Sequence, residues 1–272
     1  MISGYEDTIL SFYEYEYDKE PIVETLYDHI NAGLKFAKKI KGSKLLKNFL
    51  SDIAERNNLS YSELIYWFKK AIDYSIVLHD IGKIYYQSSI VKKKDREYLV
   101  FTGHELLSAL ITRKLFFKYL KNIDVSDEKI DYFRSVFQFP VVFSILFHHH
   151  AMNISRRRKA IDNYLVIKDI TPYLDNLRET LFFIDKDYRD DILNITYEIA
   201  KTKLPKVKLE INGLLKETWR YYINGGYGSK ILLFLLSLLL TLDYKSCVKR
   251  GDSETKFKKV IERYYLILSQ TI

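Results

Sequence analysis

An all-α fold is predicted for these 272 residues by three observations. Most segments carry apolar residues three and four positions apart, the spacing of one helix face. Only four prolines and ten glycines interrupt the chain. Helix-start signals stand ahead of the strongest apolar stripes, at Ser60, Thr102 and Pro140. A chain of this length can bury one large core or two small ones. One domain over residues 1–272 is expected, because the chemically distinctive residues stretch from position 29 to position 243 and must fold together to act together.

The first helix is predicted from Ile22 to about Ile40, where Ile22, Leu26, Ile30, Leu34 and Ala37 recur at helical spacing. His29 lies beside Ile30 on that stripe and so points inward. Ser60 and Glu63 form a capping-box pattern ahead of Leu64, Phe68, Ile72 and Ile76, a stripe that runs into His79. Gly82 suits the left-handed residue that closes such a helix. His79 and Asp80 then share its last turn, about 100° apart around the axis. Tyr85 to Phe101 fits either a loop or a short hairpin. Thr102 and Glu105 form a second capping box, which makes His104 a first-turn residue on the face of Leu107, Ile111 and Leu115. Pro140 suits the first turn of the next helix, in which Val141, Val142, Ile145 and Leu146 lead to His148, His149 and His150. Residues 154–224 add helices broken at Pro172 and Pro205 and carry no motif with a chemical reading. Ser229 can cap the last helix, whose run from Ile231 to Leu242 is apolar all round and predicts burial. Asp243 follows that run, and a carboxylate there requires a partner or a metal ion.

Composition narrows the class. The single Cys247 excludes an internal disulfide and a cysteine-rich zinc module, and no basic-apolar-small leader opens the chain, so a cytoplasmic location is expected. The run Ile231 to Leu242 is shorter than the about 20 residues a bilayer needs, and no membrane partner is expected. Lys and Arg number 43 against 35 Asp and Glu, a formal +8 that attracts polyanions. Local runs occur at Lys92 to Lys94, at Arg156, Arg157, Arg158 and Lys159, and at Lys256 to Lys259. The arginine run follows the triple histidine closely, so Arg156, Arg157 and Arg158 are expected to meet a phosphate backbone. Most of the 23 Tyr and 16 Phe are expected to pack, with some available to stack on unpaired bases.

The six histidines form four clusters and leave none over: His29, His79 with Asp80, His104, and His148 to His150. Unrelated buried polar groups would each need a partner of their own, whereas one metal centre satisfies all of them. Imidazoles with a few carboxylates suit Mn, Fe, Co, Ni or Zn better than Mg, which prefers oxygen ligands. The available ligands exceed the four of a closed structural zinc. Either one ion keeps open positions or two ions share Asp80, and both arrangements favour hydrolysis.

Five stretches then carry a resemblance: LYDHINAGLKFAKKI around His29, HDIGK from His79 to Lys83, GHELLSAL around His104, ILFHHH ending at His150, and SLLLTLD from Ser237 to Asp243. In order and spacing they resemble the HD superfamily of metal-dependent phosphohydrolases and, more narrowly, the HD nuclease of type I CRISPR interference. The resemblance implies a helical HD-domain bundle with added helices. It implies a nuclease acting mainly on single-stranded DNA, supplied by a separate helicase and a guide-RNA surveillance complex. His29, His79, Asp80 and Asp243 would hold one divalent ion, and His104 with two histidines of the run a second, with Asp80 bridging and Lys83 facing the substrate phosphate. The ions would be Mn, Fe, Co or Ni, with Mg an alternative, and the reaction two-metal hydrolysis.

The chain departs from the family pattern in having three adjacent histidines where two are usual, so the pair is His148 with His149 or His149 with His150. No GK[ST] phosphate loop is present, which excludes a fused helicase motor of that kind. HDIGK also suits an HD phosphohydrolase of nucleotides or cyclic dinucleotides, although no GYP signature follows it. A third reading is a basic nucleic-acid-binding subunit without catalysis. Asp80→Ala is expected to abolish cleavage with the fold largely intact.

Overall fold

Thr25 marks the point where strand gives way to helix: its side chain accepts from the backbone N–H of Asp28 (3.0 Å) and starts α1 (Leu26–Lys41) in the computed structural model. The structure describes residues 2, 4–122, 125–149, 157, 159, 161, 169–247 and 256–270. Ser43 and Ser60 cap α2 (Lys44–Arg56) and α3 (Tyr61–Leu78) as Thr25 caps α1. There follow α4 (His104–Lys121) and α5 (Asp127–Phe133), the latter running through π-helical Arg134–Gln138 into α6 (Phe139–Phe147). Then come α7 (Leu174–Thr180), α8 (Lys186–Lys201), α9 (Leu204–Asn224), α10 (Tyr227–Ser246) and α11 (Lys256–Leu268). The fold is mostly helical, as the apolar periodicity predicts.

Beside the helices lies a four-stranded antiparallel sheet: β1 (Leu10–Glu16), β2 (Ile22–Thr25), β3 (Ile90–Lys93) and β4 (Arg96–Leu99), in the order β2-β1-β4-β3. Residues 85–101 therefore hold a hairpin, preceded by the short 3-10 turn Ile81–Tyr86. The first helix does not begin at Ile22. Ile22 and Val23 are β-branched and pair with Glu14 and Tyr13, and the buried helical stripe starts four residues later at Leu26.

One buried cluster runs from Ile9 to Leu268 and draws on most of the helices. At its centre α10 packs on α6, α1, α3 and α11, while α6 also packs on α4 and α3. Among the described residues two helical runs, Asp127–Phe147 and Tyr227–Ser246, are long and apolar enough to cross a membrane by length and composition. The second is longer than its twelve-residue apolar stretch suggests. In this structure both are packed core elements, the second against the first.

Three turn signals act differently from their sequence reading. Gly82 is not left-handed; it lies in the 3-10 turn, where a Cβ would stand 2.2 Å from the carbonyl oxygen of His104. A hydrogen in place of a side chain lets the HDIGK segment close onto the start of α4. The left-handed residue is Gly103 (φ +98°), which takes the N-cap of α4 in place of Thr102, and Glu105 is used elsewhere. Ser229 lies inside α10 and donates to the carbonyl of Tyr222 (2.7 Å), while Gly226 precedes the helix. Pro172 and Pro205 each open a helical turn, where a missing N–H costs nothing, and so stand at breaks between helices.

Candidate metal centre

Helix ends deliver the site. His79 closes α3 and Asp80 follows it; His104 opens α4; His148 closes α6 and His149 follows it. His29 comes from the first turn of α1, and Asp243 from the last turn of α10, three residues before its end. His29, His79, Asp80 and Asp243 bring one ligand atom each within 4.8 Å of one another, and so do His104, His148 and His149. In the first group His29 Nε2 lies 3.1 Å from Asp243 Oδ1 and 3.4 Å from Asp80 Oδ2, and His79 Nε2 lies 3.4 Å from each of those oxygens. The other oxygen of Asp80 turns to the second group: Oδ1 is 2.7 Å from His104 Nε2 and 3.9 Å from His148 Nε2.

Backbone carbonyls set the tautomers. Nδ1 of His79 meets the carbonyl of Ile76 (2.7 Å), that of His104 the carbonyl of Phe101 (2.6 Å), and that of His148 the carbonyl of Ile145 (2.7 Å). A carbonyl only accepts, so each Nδ1 carries the proton, and a neutral ring then presents a lone pair at Nε2. Nε2 of His104 and of His148 is buried with no hydrogen-bond partner among the described residues. The 2.7 Å approach of His104 Nε2 to Asp80 Oδ1 is accordingly no hydrogen bond in the neutral ring. A lone pair facing a carboxylate oxygen is repulsive unless a cation joins them. Buried imidazole nitrogens without partners, aimed at carboxylates, are the donor set a divalent transition ion requires, and the residues fit such an ion.

Charge follows burial and neighbours. Burial alone raises the pKa of Asp80, but His79 and His104 in their protonated forms, together with Lys83, hold it well below the ordinary carboxylate value; protonated His29 and His79 do the same for Asp243. Burial opposes protonation of His29, yet Asp243, Glu24 and Asp80 outweigh it and raise its pKa. Burial, with His149 and His79 beside it, pushes His148 well down, and burial with His104 takes His149 to about 4. A cation entering the first group therefore competes with a proton on His29, while His148 and His149 stand neutral and ready. Metal uptake by the first group is expected to weaken from about pH 8 to about pH 6, as His29 takes a proton, while His148 and His149 stay unprotonated. Manganese titrations at both pH values check this, and an equal shift in both binding steps would contradict it.

Two residues expected to face substrate are otherwise engaged. Lys83 is 5% exposed and donates to Asp80 Oδ2 (2.5 Å) and to the carbonyl of Ser11 (3.2 Å), beside the cluster and not in an open groove. Arg157 is 1% exposed, paired with the buried Glu105, and donates to the carbonyls of Leu146 and His149 (3.3 Å each), so it does not meet a phosphate backbone. Arg156, Arg158 and His150 lie outside the described residues.

Glu24 and Ser246 are site residues the motifs did not reveal. Glu24 Oε2 lies 3.4 Å from His29 Nδ1 and accepts from Ser11 Oγ (2.8 Å). Ser246 Oγ donates to the carbonyl of Asp243 (2.6 Å) and so accepts from His29 Nδ1 (3.1 Å). Both hold the His29 ring in the tautomer that frees Nε2. No sequence signal marks Glu24, because it acts from the strand before its helix. Glu24→Gln is expected to lower metal affinity of the first group about 10–100-fold and to leave the second unchanged, read by calorimetric manganese titration. Equal affinity in the variant would remove Glu24 from this role.

With this geometry in view, residues 68–177 match the HD domain, a domain of metal-dependent phosphohydrolases. The match includes His79, Asp80, Lys83, His104, His148 and His149, while His29 and Asp243 come from beyond its two ends. No curated protein and no solved structure matches the chain.

Proposed function

We propose that the chain is a metal-dependent phosphodiesterase that cuts single-stranded DNA, the nuclease of a type I CRISPR interference system working with a separate helicase and a guide-RNA complex. The observation that carries the hydrolytic part is the pair of oxygens on Asp80, one turned to His29 and His79 and the other to His104 and His148. A carboxylate so divided suits two neighbouring divalent ions, of the Mn, Fe, Co or Ni type or Mg. His29, His79, Asp80 and Asp243 would hold one and His104, His148 and His149 the other. When bound, such ions supply Lewis acidity that activates water and stabilises charge on phosphoryl oxygens.

The chain's own groups do the rest. Lys83 keeps Asp80 ionised and fixes the direction of its oxygens. Carbonyls of Ile76, Phe101 and Ile145 aim three imidazoles, and Glu24 with Ser246 aims the fourth. Most of the cluster is buried, and the exposed part is at Asp243, whose side chain is 17% accessible, and at the half-buried His149. A phosphodiester would approach there. The net +8 favours a polyanion over a small nucleotide. The CRISPR assignment rests on the ordered motifs from Leu26 to Asp243, which extend past both ends of the HD segment.

The test is incubation of the full chain and Mn²⁺ with single-stranded DNA, nucleoside triphosphates and a cyclic dinucleotide. Strand cleavage is expected. Turnover of the small nucleotides alone would replace this reading with that of an HD nucleotide phosphohydrolase, and turnover of none would leave a non-catalytic binding subunit.

A further inference from the structure

Phe147 ends α6 one residue before His148, and its ring stands 5.7 Å from Trp219 on α9. Trp219 lies 5.6 Å from Tyr222, which stacks on Phe143 at 5.6 Å. The four rings form a patch that grades outward: Phe143 is buried, Phe147 and Tyr222 are half-buried, and Trp219 is 47% exposed. Core packing accounts for Phe143. It does not account for a tryptophan with nearly half its surface in water and aromatic neighbours on its inner side.

Among the described residues, the charges beside Trp219 that lack an ion-pair partner have one sign. Lys216 and Arg220 flank Trp219 on the exposed side of α9. The two acids of that helix, Glu210 and Glu217, are already paired with Lys114 (2.8 Å) and Arg113 (2.6 Å) of α4. Among the described residues no acid pairs with Lys216 or Arg220. Interface cores between proteins are depleted of charge. Exposed rings interleaved with cations suit an unpaired polynucleotide, whose bases stack and whose phosphates need counter-charge.

We infer that Phe147, Trp219 and Tyr222, flanked by Lys216 and Arg220, form a stacking strip that holds the unpaired strand as it passes from the second ligand group along α9. This rests on the proposed single-stranded substrate and names where that substrate lies. Phe147 supplies the continuity, because its backbone leads directly into His148 while its ring opens onto Trp219.

The test is binding of a fluorescent oligothymidylate of about 15 nucleotides to the full chain, with EDTA present so that nothing is cut. Trp219→Ala is expected to weaken binding about tenfold and Trp219→Phe to restore most of it. With an oligomer lacking its bases, Trp219→Ala and the parent should bind alike. Lys216→Ala with Arg220→Ala should lower the slope of log affinity against log salt by about 1.4. Unchanged oligothymidylate affinity in Trp219→Ala, or an equal loss for the base-free oligomer, overturns the strip and leaves the nuclease reading standing. Loss of self-association with unchanged DNA affinity also overturns it, making the patch a contact between copies. A parent that binds no oligonucleotide at any salt concentration removes the polymer substrate itself.

Discussion

Asp80→Asn is expected to strip metal from both ligand groups and to lower the proposed phosphodiester cleavage by more than about a hundredfold, because removing mere outer partners of ligands already costs about 10–100-fold. Both groups would fail together because one oxygen of the carboxylate faces His79 and the other faces His104. The asparagine is the informative variant. Lys83, buried beside the cluster, has Asp80 as its carboxylate partner at 2.5 Å, so Asp80→Ala strands an ammonium and threatens the fold by about 3–5 kcal/mol. The sequence alone suggests that alanine is harmless to the fold, since it does not reveal that Lys83 turns back onto Asp80. Asparagine keeps an oxygen for Lys83 while removing the negative charge. Elemental analysis, a thermal melt and a cleavage assay on the same preparation check this. An Asp80→Asn chain that retains two metal ions and its full rate would dismantle the shared-carboxylate reading.

The convergence of His29, His79, His104 and His148 could be read from the sequence because each sits near where a helical stripe begins or ends, and burial of the stripe turns the histidine inward. His79 continues the face of Leu64, Phe68, Ile72 and Ile76, and it is 1% exposed. His29 beside Ile30 is 1% exposed for the same reason. What stayed hidden depends on distant partners or on backbone geometry. The sheet was half hidden because its first two strands pair across only a few residues and cover a small apolar cluster of Leu10, Tyr13 and Leu99. Ile22 imitates the start of the α1 stripe while pairing with Glu14. Gly82 has the look of a helix terminator, yet its glycine is required by the approach of His104. Thr102 and Glu105 match a capping box in spacing, but Gly103 takes the cap and Glu105 binds an arginine 52 residues away. Local spacing cannot encode that choice. The arginine run has the same ambiguity: its charge suggests a nucleic-acid surface, and only burial shows that Arg157 is spent inside.

Arg157→Met is expected to destabilise the chain by about 3–5 kcal/mol, a fall of roughly 10 °C in melting temperature, because it leaves Glu105 charged and unpaired in the core. Glu105→Gln should cost a similar amount by stranding Arg157. Combining Arg157→Met with Glu105→Leu is expected to recover most of the loss, since apolar side chains of similar volume can replace a buried ion pair at little cost. The double variant then separates stability from positioning. Arg157 also holds the carbonyls of Leu146 and His149, which flank His148, and Glu105 follows His104 directly. Without that clasp the second ligand group should bind manganese about 10–100-fold more weakly, while the first group, which the clasp does not touch, keeps its affinity. Melting curves and manganese titrations on all three variants decide between the outcomes. A stable double variant with both affinities intact would make the pair a packing device with no part in the site, whereas selective loss at the second group would show that a buried arginine sets the aim of the histidines from behind.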